Sequence, residues 1–308
     1  MVVALYQRFT GNDMGLINKA GKKMLSGLPD LKLVSLARDV MPYISVEADG
    51  LSFFFNSTDH SILDYMVENK KIWSRDEMDY ILGYYDSISV RPGNVIDIGA
   101  SVGTSIVYFR KMLGSESSFY AVEPVSGNYD LLAANCCING FHDIATFRLG
   151  ISEKAFEGRM EIDPENMATC RIEGSDSNRL VFENSDKTYV GEEVLFLTLD
   201  GFVSDNKIAK ERPALFWIDV EGHEPELFRG GMNTFKSLDC AVFCEFNPRL
   251  YEFNGRLDGF ISDIKECFGR FLCYEQSEPG KYLFRDIAEI DKVAEEMKMN
   301  QCNLFLVK

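Results

Sequence analysis

The stretch that most restricts the fold is Asn94–Gly103, NVIDIGASVG, where an apolar run ends in an acid and passes straight into a glycine turn. Val95, Ile96 and Ile98 give the continuous hydrophobicity of a strand covered on both faces. Asp97 stands at its carboxyl end, and Gly99 and Gly103 bracket a tight loop before a helical run from Thr104 to Leu113. Glycines let backbone approach a ligand closely, and a helix start leaves N–H groups free. A second apolar run, Phe119–Val122, ends in Glu123-Pro124. An acid there is placed to accept both hydroxyls of a ribose held over the glycine turn.

The dinucleotide fingerprint G-x-G-x-x-G needs its second glycine so that a pyrophosphate can reach the helix start. This loop reads Gly99-Ala100-Ser101-Val102-Gly103, with a side chain at that place. It suits a cofactor bearing an amino acid and a sulfonium, whose cationic end Asp97 can meet directly or through water. S-adenosylmethionine is therefore expected, ahead of a nicotinamide dinucleotide or a purely structural turn.

Bulk properties remove several function classes. The 308 residues include 32 Lys and Arg against 48 Asp and Glu, a formal charge of −16. Such a surface repels nucleic acid and anionic membrane, and no basic run with interleaved aromatics overrides it. No segment approaches the roughly 20 apolar residues that span a bilayer, and the N-terminal apolar stretch is too short for a secretory signal. The eight cysteines contain no C-x-x-C, and most of them are expected to be small buried hydrophobes in a reducing, cytoplasmic setting.

Along the chain, Gly15–Leu25 and Leu31–Met41 look helical, and Ile44–Asn56 reads as a hairpin turning at Asp49-Gly50. Ser61–Asn69 and Asp76–Tyr85 have helical periodicity. These make residues 1–90 an N-terminal helical and hairpin extension, ahead of a domain at 91–308. In that domain strands are expected at 94–98, 118–122, 144–149, 193–198, 214–219 and 240–246, with terminal strands at 270–275 and 302–307. Helices are expected at 103–113, 126–137, 225–236 and 257–268. The alternation predicts a doubly wound α/β sheet. Residues 151–190 interrupt it with two short strand candidates, Met160–Ile162 and Thr169–Ile172, and could cover the ligand site.

A second constellation lies at 214–231, ALFWIDVEGHEPELFRGG. Its strand delivers Asp219 to the sheet edge that holds Asp97 and Glu123. Asp219, Glu221 and His223 alternate, so an extended backbone would turn all three the same way. Glu245 ends the next apolar strand. Against this, Asp219 could be a turn acid, Glu224 and Glu226 could serve the helix N-terminus, and a lone histidine is often structural. His60 and His142 lack such company and are read as structural.

Taken together, VIDIGASVGTS, YAVEPVSGNYDLLAAN, LTLDGF, WIDVEGHEPELFRGG and VFCEFNP resemble the FkbM-type family of class I S-adenosylmethionine-dependent methyltransferases. The resemblance covers roughly residues 60–308 and implies a Rossmann-like, seven-stranded, mostly parallel sheet with a reversed last strand and helices on both faces. It implies O-methylation of a sugar or secondary-metabolite hydroxyl. Asp97, Gly99, Ser101 and Gly103 would line the methionine end, Glu123 would hold the ribose, and Ser152 joins the cofactor set. Asp219, Glu221 and His223 would face the acceptor. Many relatives carry lysine before the Ile-Asp pair, where this chain has Trp217.

An alcohol must lose a proton as it attacks, and a carboxylate or imidazole within hydrogen-bond reach takes it. Asp219 or His223 is the expected base, with Glu221 orienting. A divalent metal held by Asp219, His223 and Glu245 is the less favoured variant. A non-catalytic cofactor-binding partner of other biosynthetic enzymes is the alternative from another class.

Overall fold

The computed structural model describes residues 30–38, 41–163, 166–173, 189–297 and 300–308; the helix expected at Gly15–Leu25 lies outside them. Helix α1 (Asp30–Arg38) precedes a hairpin of β1 (Tyr43–Ala48) and β2 (Leu51–Asn56). Asp49 and Gly50 both take positive φ, 53° and 70°, the turn whose twist matches its strands. Helices α2 (Ile62–Asn69) and α3 (Arg75–Ser87) follow. From β3 (Asn94–Ile98) the chain alternates through α4 (Thr104–Leu113), β4 (Ser118–Val122), α5 (Ser126–Ile138) and β5 (Ile144–Phe147). An excursion of β6 (Gly150–Ile151), β7 (Phe156–Asp163), β8 (Asn166–Ile172) and β9 (Val190–Leu197) comes next. Alternation resumes with α6 (Leu199–Asp205), β10 (Ala214–Ile218), α7 (Glu224–Gly230), α8 (Met232–Ser237) and β11 (Cys240–Phe246). The last elements are α9 (Pro248–Phe253), α10 (Leu257–Cys267), β12 (Arg270–Cys273), β13 (Arg285–Asp286), α11 (Ile290–Glu296) and β14 (Cys302–Val307).

The main sheet has the order β13-β12-β14-β11-β10-β3-β4-β5. Strands β11, β10, β3, β4 and β5 are parallel neighbours, and β14 runs antiparallel to both β11 and β12. The reversed last strand is as expected, but the sheet has eight strands, because the two-residue β13 adds to the β12 edge. The strand expected at 193–198 is absent from this sheet. It is part of β9, which joins β6, β7 and β8 in a second, four-stranded sheet. Its burial alternates around buried Val194 and Phe196, with Leu195 exposed, the pattern of a one-sided strand rather than a doubly covered one. Strand β5 accordingly stops at Phe147, where the chain departs for that sheet. The helix expected at 225–236 is two helices parting at Gly231, where a Cβ would lie 2.7 Å from Leu199.

Side chains alternate across β3, so Val95 faces one core while Ile96 and Ile98 face the other. The first core also takes in Phe53 and Phe55 of the hairpin, Met66 of α2 and Ile81 of α3. Trp217 belongs to this side. It is 6% exposed and stacks on Phe243, with ring centroids 4.4 Å apart.

Candidate active site

Four strands lying side by side, β11, β10, β3 and β4, bring Glu245, Asp219, Asp97 and Glu123 to one edge of the sheet. The β3 turn passes close under the end of β10: Gly99 has φ 83°, and a Cβ there would sit 1.8 Å from the Asp219 carbonyl oxygen. Only glycine fits both the conformation and the space.

Glu123 is buried and holds this turn. Its Oε2 accepts the Ser101 N–H and its Oε1 accepts the Val125 N–H, each at 2.9 Å. Carboxylate oxygens have further lone pairs, so the same group can still accept from a ligand. Burial pushes its pKa up to about 7, against the pull of these N–H bonds. Asp97 is also buried. Its Oδ2 accepts from Ser105 Oγ at 2.5 Å, and its Oδ1 has no partner. Burial, countered by Ser105, raises it to about 7.

Two cavities open at this edge. A smaller one of about 210 Å³ is lined by Gly99, Ser101, Glu123 and Asn128, by the apolar Ile151, Met160, Ile172 and Phe196, and by Asp219, Glu221 and His223. A larger one of about 520 Å³ is lined by Trp73, Glu77, Trp217, Phe243, Glu245, Arg249 and Asn303, and again by Asp219 and Glu221. Asp219 and Glu221 thus form the wall between them. Asp97, Gly103 and Ser152 lie outside both linings.

The backbone carrying the second constellation is a turn, which corrects the extended run expected there. Strand β10 ends at Ile218, Glu221 and Gly222 take φ 54° and 91°, and the His223 N–H bonds to the Val220 carbonyl at 3.2 Å. The turn is pinned from beneath by Glu224, fully buried, which accepts from the Val220 N–H at 3.1 Å and the Tyr251 hydroxyl at 2.8 Å. His223 lines only the smaller cavity and therefore does not face the same space as Glu245. Its Nε2 pairs with Ser152 Oγ at 3.0 Å, and its Nδ1 lies 3.6 Å from Glu226, which also pairs with Arg256. Burial, and then the Arg256 charge, hold its pKa down to about 3, so the ring stays neutral and is a poor proton acceptor.

The carboxylates behave in the opposite way. Asp219 and Glu221 reach cavity solvent, yet the protein around them limits hydration and pushes both up, Glu221 to about 8 with help from Asp219. Glu245 rises to about 9, by burial and then by repulsion from Glu224, Asp219 and Glu221.

Residues 151–190 could be expected over the ligand site, but which side chains reach it has no signal in the local sequence. Met160, Cys170, Ile172 and Phe196 reach the smaller cavity from the four-stranded sheet, and Trp73 reaches both cavities from ahead of α3. Cys273 and Cys302 meet Glu275 with ligand atoms within 4.8 Å of one another, the one three-residue group of that kind among the described residues. Antiparallel pairing of β12 with β14 creates it. Asp219, His223 and Glu245 form no such group.

Residues 97–298 match the family described as the methyltransferase FkbM domain. No curated protein sequence matches the chain. Among solved structures, methyltransferase FkbM from Methylobacillus flagellatus KT is similar at 12% identity and a TM-score of 0.41, over 80% of this chain and 52% of that one. The chain thus spans about half the length of that protein. The Pyrococcus abyssi tRNA (uracil-54, C5)-methyltransferase, in complex with S-adenosyl-L-homocysteine, is similar at 11% identity and a TM-score of 0.38, over 86% of this chain and 43% of that one. TYW2 of M. jannaschii, in complex with AdoMet, is similar at 12% identity and a TM-score of 0.37, over 86% and 85% of the two chains. The strand order carries one reversed strand, β14, between β11 and β12, as the resemblance implies. The matched segment runs from the acid of the glycine turn to beyond α11, and on that extent the chain belongs to the FkbM methyltransferase family.

Proposed function

We propose that this chain moves a methyl group from S-adenosylmethionine to a hydroxyl of a sugar or other small metabolite, without a metal. The observation that carries the proposal is the meeting of two cavities at Asp219 and Glu221. The smaller cavity fits the cofactor: Gly99 lines it, Glu123 and Ser101 border a place for the ribose, and Ile151, Met160, Ile172 and Phe196 offer an apolar bed for a purine. When bound, S-adenosylmethionine supplies a methyl group on a sulfonium already electrophilic enough to react.

The chain's own task is to hold a hydroxyl and take its proton. Asp219 and Glu221 stand where an acceptor in the larger cavity would border the smaller one. A base works best when its pKa lies near the operating pH, and Glu221 at about 8 meets that condition. The two carboxylates interact, so they titrate as a pair. His223 is better suited to positioning, since its neutral ring pairs with Ser152 behind the cavity lining. The division of Asp219, His223 and Glu245 between cavities supports proton transfer to carboxylate over a shared metal. The net charge and the acidic larger cavity argue against nucleic-acid acceptors.

Calorimetry with S-adenosylmethionine, S-adenosylhomocysteine and NAD tests the cofactor reading. The first two should bind and NAD should not. Glu123→Ala should weaken S-adenosylhomocysteine by roughly 1.5–3 kcal/mol, the value of a hydrogen bond to a charged group. Tighter binding of NAD would overturn the reading. Exhaustive chelation should leave methyl transfer unchanged, and loss of activity rescued by a divalent ion would show a metal to be required.

A further inference from the structure

We infer that the larger cavity selects an acceptor carrying a protonated amine beside the hydroxyl to be methylated, an amino sugar or amino alcohol. The inference rests on the methyltransferase reading above and names its acceptor class. Four carboxylates, Glu77, Asp219, Glu221 and Glu245, line this cavity. Among the described residues the one cation in its lining, Arg249, is an exposed side chain. Of these acids, Asp219 and Glu221 are exposed to the cavity and Glu77 and Glu245 are half-buried. They border a hollow of about 520 Å³ that meets the smaller cavity and has Trp73, Trp217 and Phe243 in its lining.

A cleft lined by charges of one sign concentrates ligands of the other. A phosphate or carboxylate on the acceptor would meet four acids and one guanidinium. A neutral polyol would gain hydrogen bonds but leave the acids crowding one another. An ammonium group relieves that crowding, and aromatic faces add to its attraction. The remaining polar lining suits hydroxyls: Asn247, Gln301 and Asn303 border the same space, and Asn303 is oriented by Glu275, which accepts its N–H at 2.8 Å and its amide Nδ2 at 3.0 Å. Burial first, and then repulsion from neighbouring acids, drives Glu221 and Glu245 above the usual carboxylate range.

The test compares three probes of similar size by calorimetry: glucosamine, N-acetylglucosamine and glucose 6-phosphate, each with and without saturating S-adenosylhomocysteine. Glucosamine should bind about tenfold or more tighter than its acetylated form, and the phosphate should bind most weakly. Glu245→Gln and Glu77→Gln should each lower the glucosamine preference by about threefold or more. S-adenosylhomocysteine affinity, a property of the other cavity, should persist in both variants. Equal binding of the amine and its acetylated form, preference for the phosphate, or binding of none of the three would overturn the inference. Failure of S-adenosylhomocysteine to bind would instead overturn the cofactor reading, and the amine preference measured without it would stand or fall separately.

Discussion

Asp219 and His223 sit four residues apart and are treated oppositely by their surroundings. Burial pushes the Asp219–Glu221 pair up, with repulsion from Asp219 and Glu224 adding to it at Glu221, whereas burial and Arg256 hold His223 near 3. Asp219→Asn should therefore lower methyl transfer by about a hundredfold or more, typical of losing a general base, while cofactor affinity measured by calorimetry persists. His223→Gln, which keeps a polar partner for Ser152, should cost far less, and a loss equal to that of Asp219→Asn would restore the imidazole as base. The pH profile follows with a definite sign. A base must be deprotonated to act, so kcat/KM should climb as pH rises through the titration of the pair, around the value of about 8 for Glu221. A profile flat from pH 6 to 9 would remove the pair from proton transfer. Asp219, Glu221 and His223 were legible as a group from their spacing alone. Their separation into wall and flank was not, because it depends on the turn at Glu221 and Gly222.

Among the elements, the junction between the hairpin and the main sheet shows how far a linear reading reaches. The hairpin was visible in its Asp-Gly turn and alternating strands. Its dock was not, since it depends on two asparagines of α5. Asn135 accepts the Phe54 N–H at 2.6 Å and donates to the Phe54 carbonyl at 3.0 Å. Asn139 does the same for Ser52, at 2.9 and 2.7 Å. Side chains four apart on a helix share a face, as do residues two apart on a strand, so the two amides continue the ladder of β2. Asn135 also donates to the Val102 carbonyl in the glycine loop at 2.8 Å and is fully buried. Asn135→Ala should cost about 1–3 kcal/mol in denaturant unfolding, because it strands buried backbone groups. Asn139→Ala, more open to water, should cost less. Equal, negligible effects would show that apolar packing alone holds the hairpin.

For the molecule as a whole, acids raised by their surroundings couple folding to pH. Asp97, Glu123 and Glu224 stand near 7, Glu221 near 8 and Glu245 near 9, all above the ordinary carboxylate range. A carboxyl raised on folding makes the native state bind protons more tightly than the unfolded chain. Its contribution is complete below the unfolded value and is lost as pH rises through the folded one. The Tm of the unliganded protein should therefore fall progressively between about pH 5 and 9, and Glu245→Gln should make the decline shallower. A Tm that rises across this range, read by calorimetry, would contradict the shifts. No helix among the described residues is long and apolar enough to cross a membrane.

By itself the sequence determined the central strands and the cofactor turn, since Asn94–Ile98, Ser118–Val122 and Ala214–Ile218 are short, nearly continuous apolar runs whose burial leaves little choice of conformation. It likewise determined which acids end those strands. Tertiary structure alone decided the membership of β9 in a second sheet, the extra edge strand and the break at Gly231, because pairing partners and close approaches lie far away along the chain. It also decided that Trp217 packs in the core with Phe243 and still borders the larger cavity. Above all it decided the charge states at the site. A pKa depends on how much water and how many charges surround a group in space, and neither can be read from its neighbours in sequence.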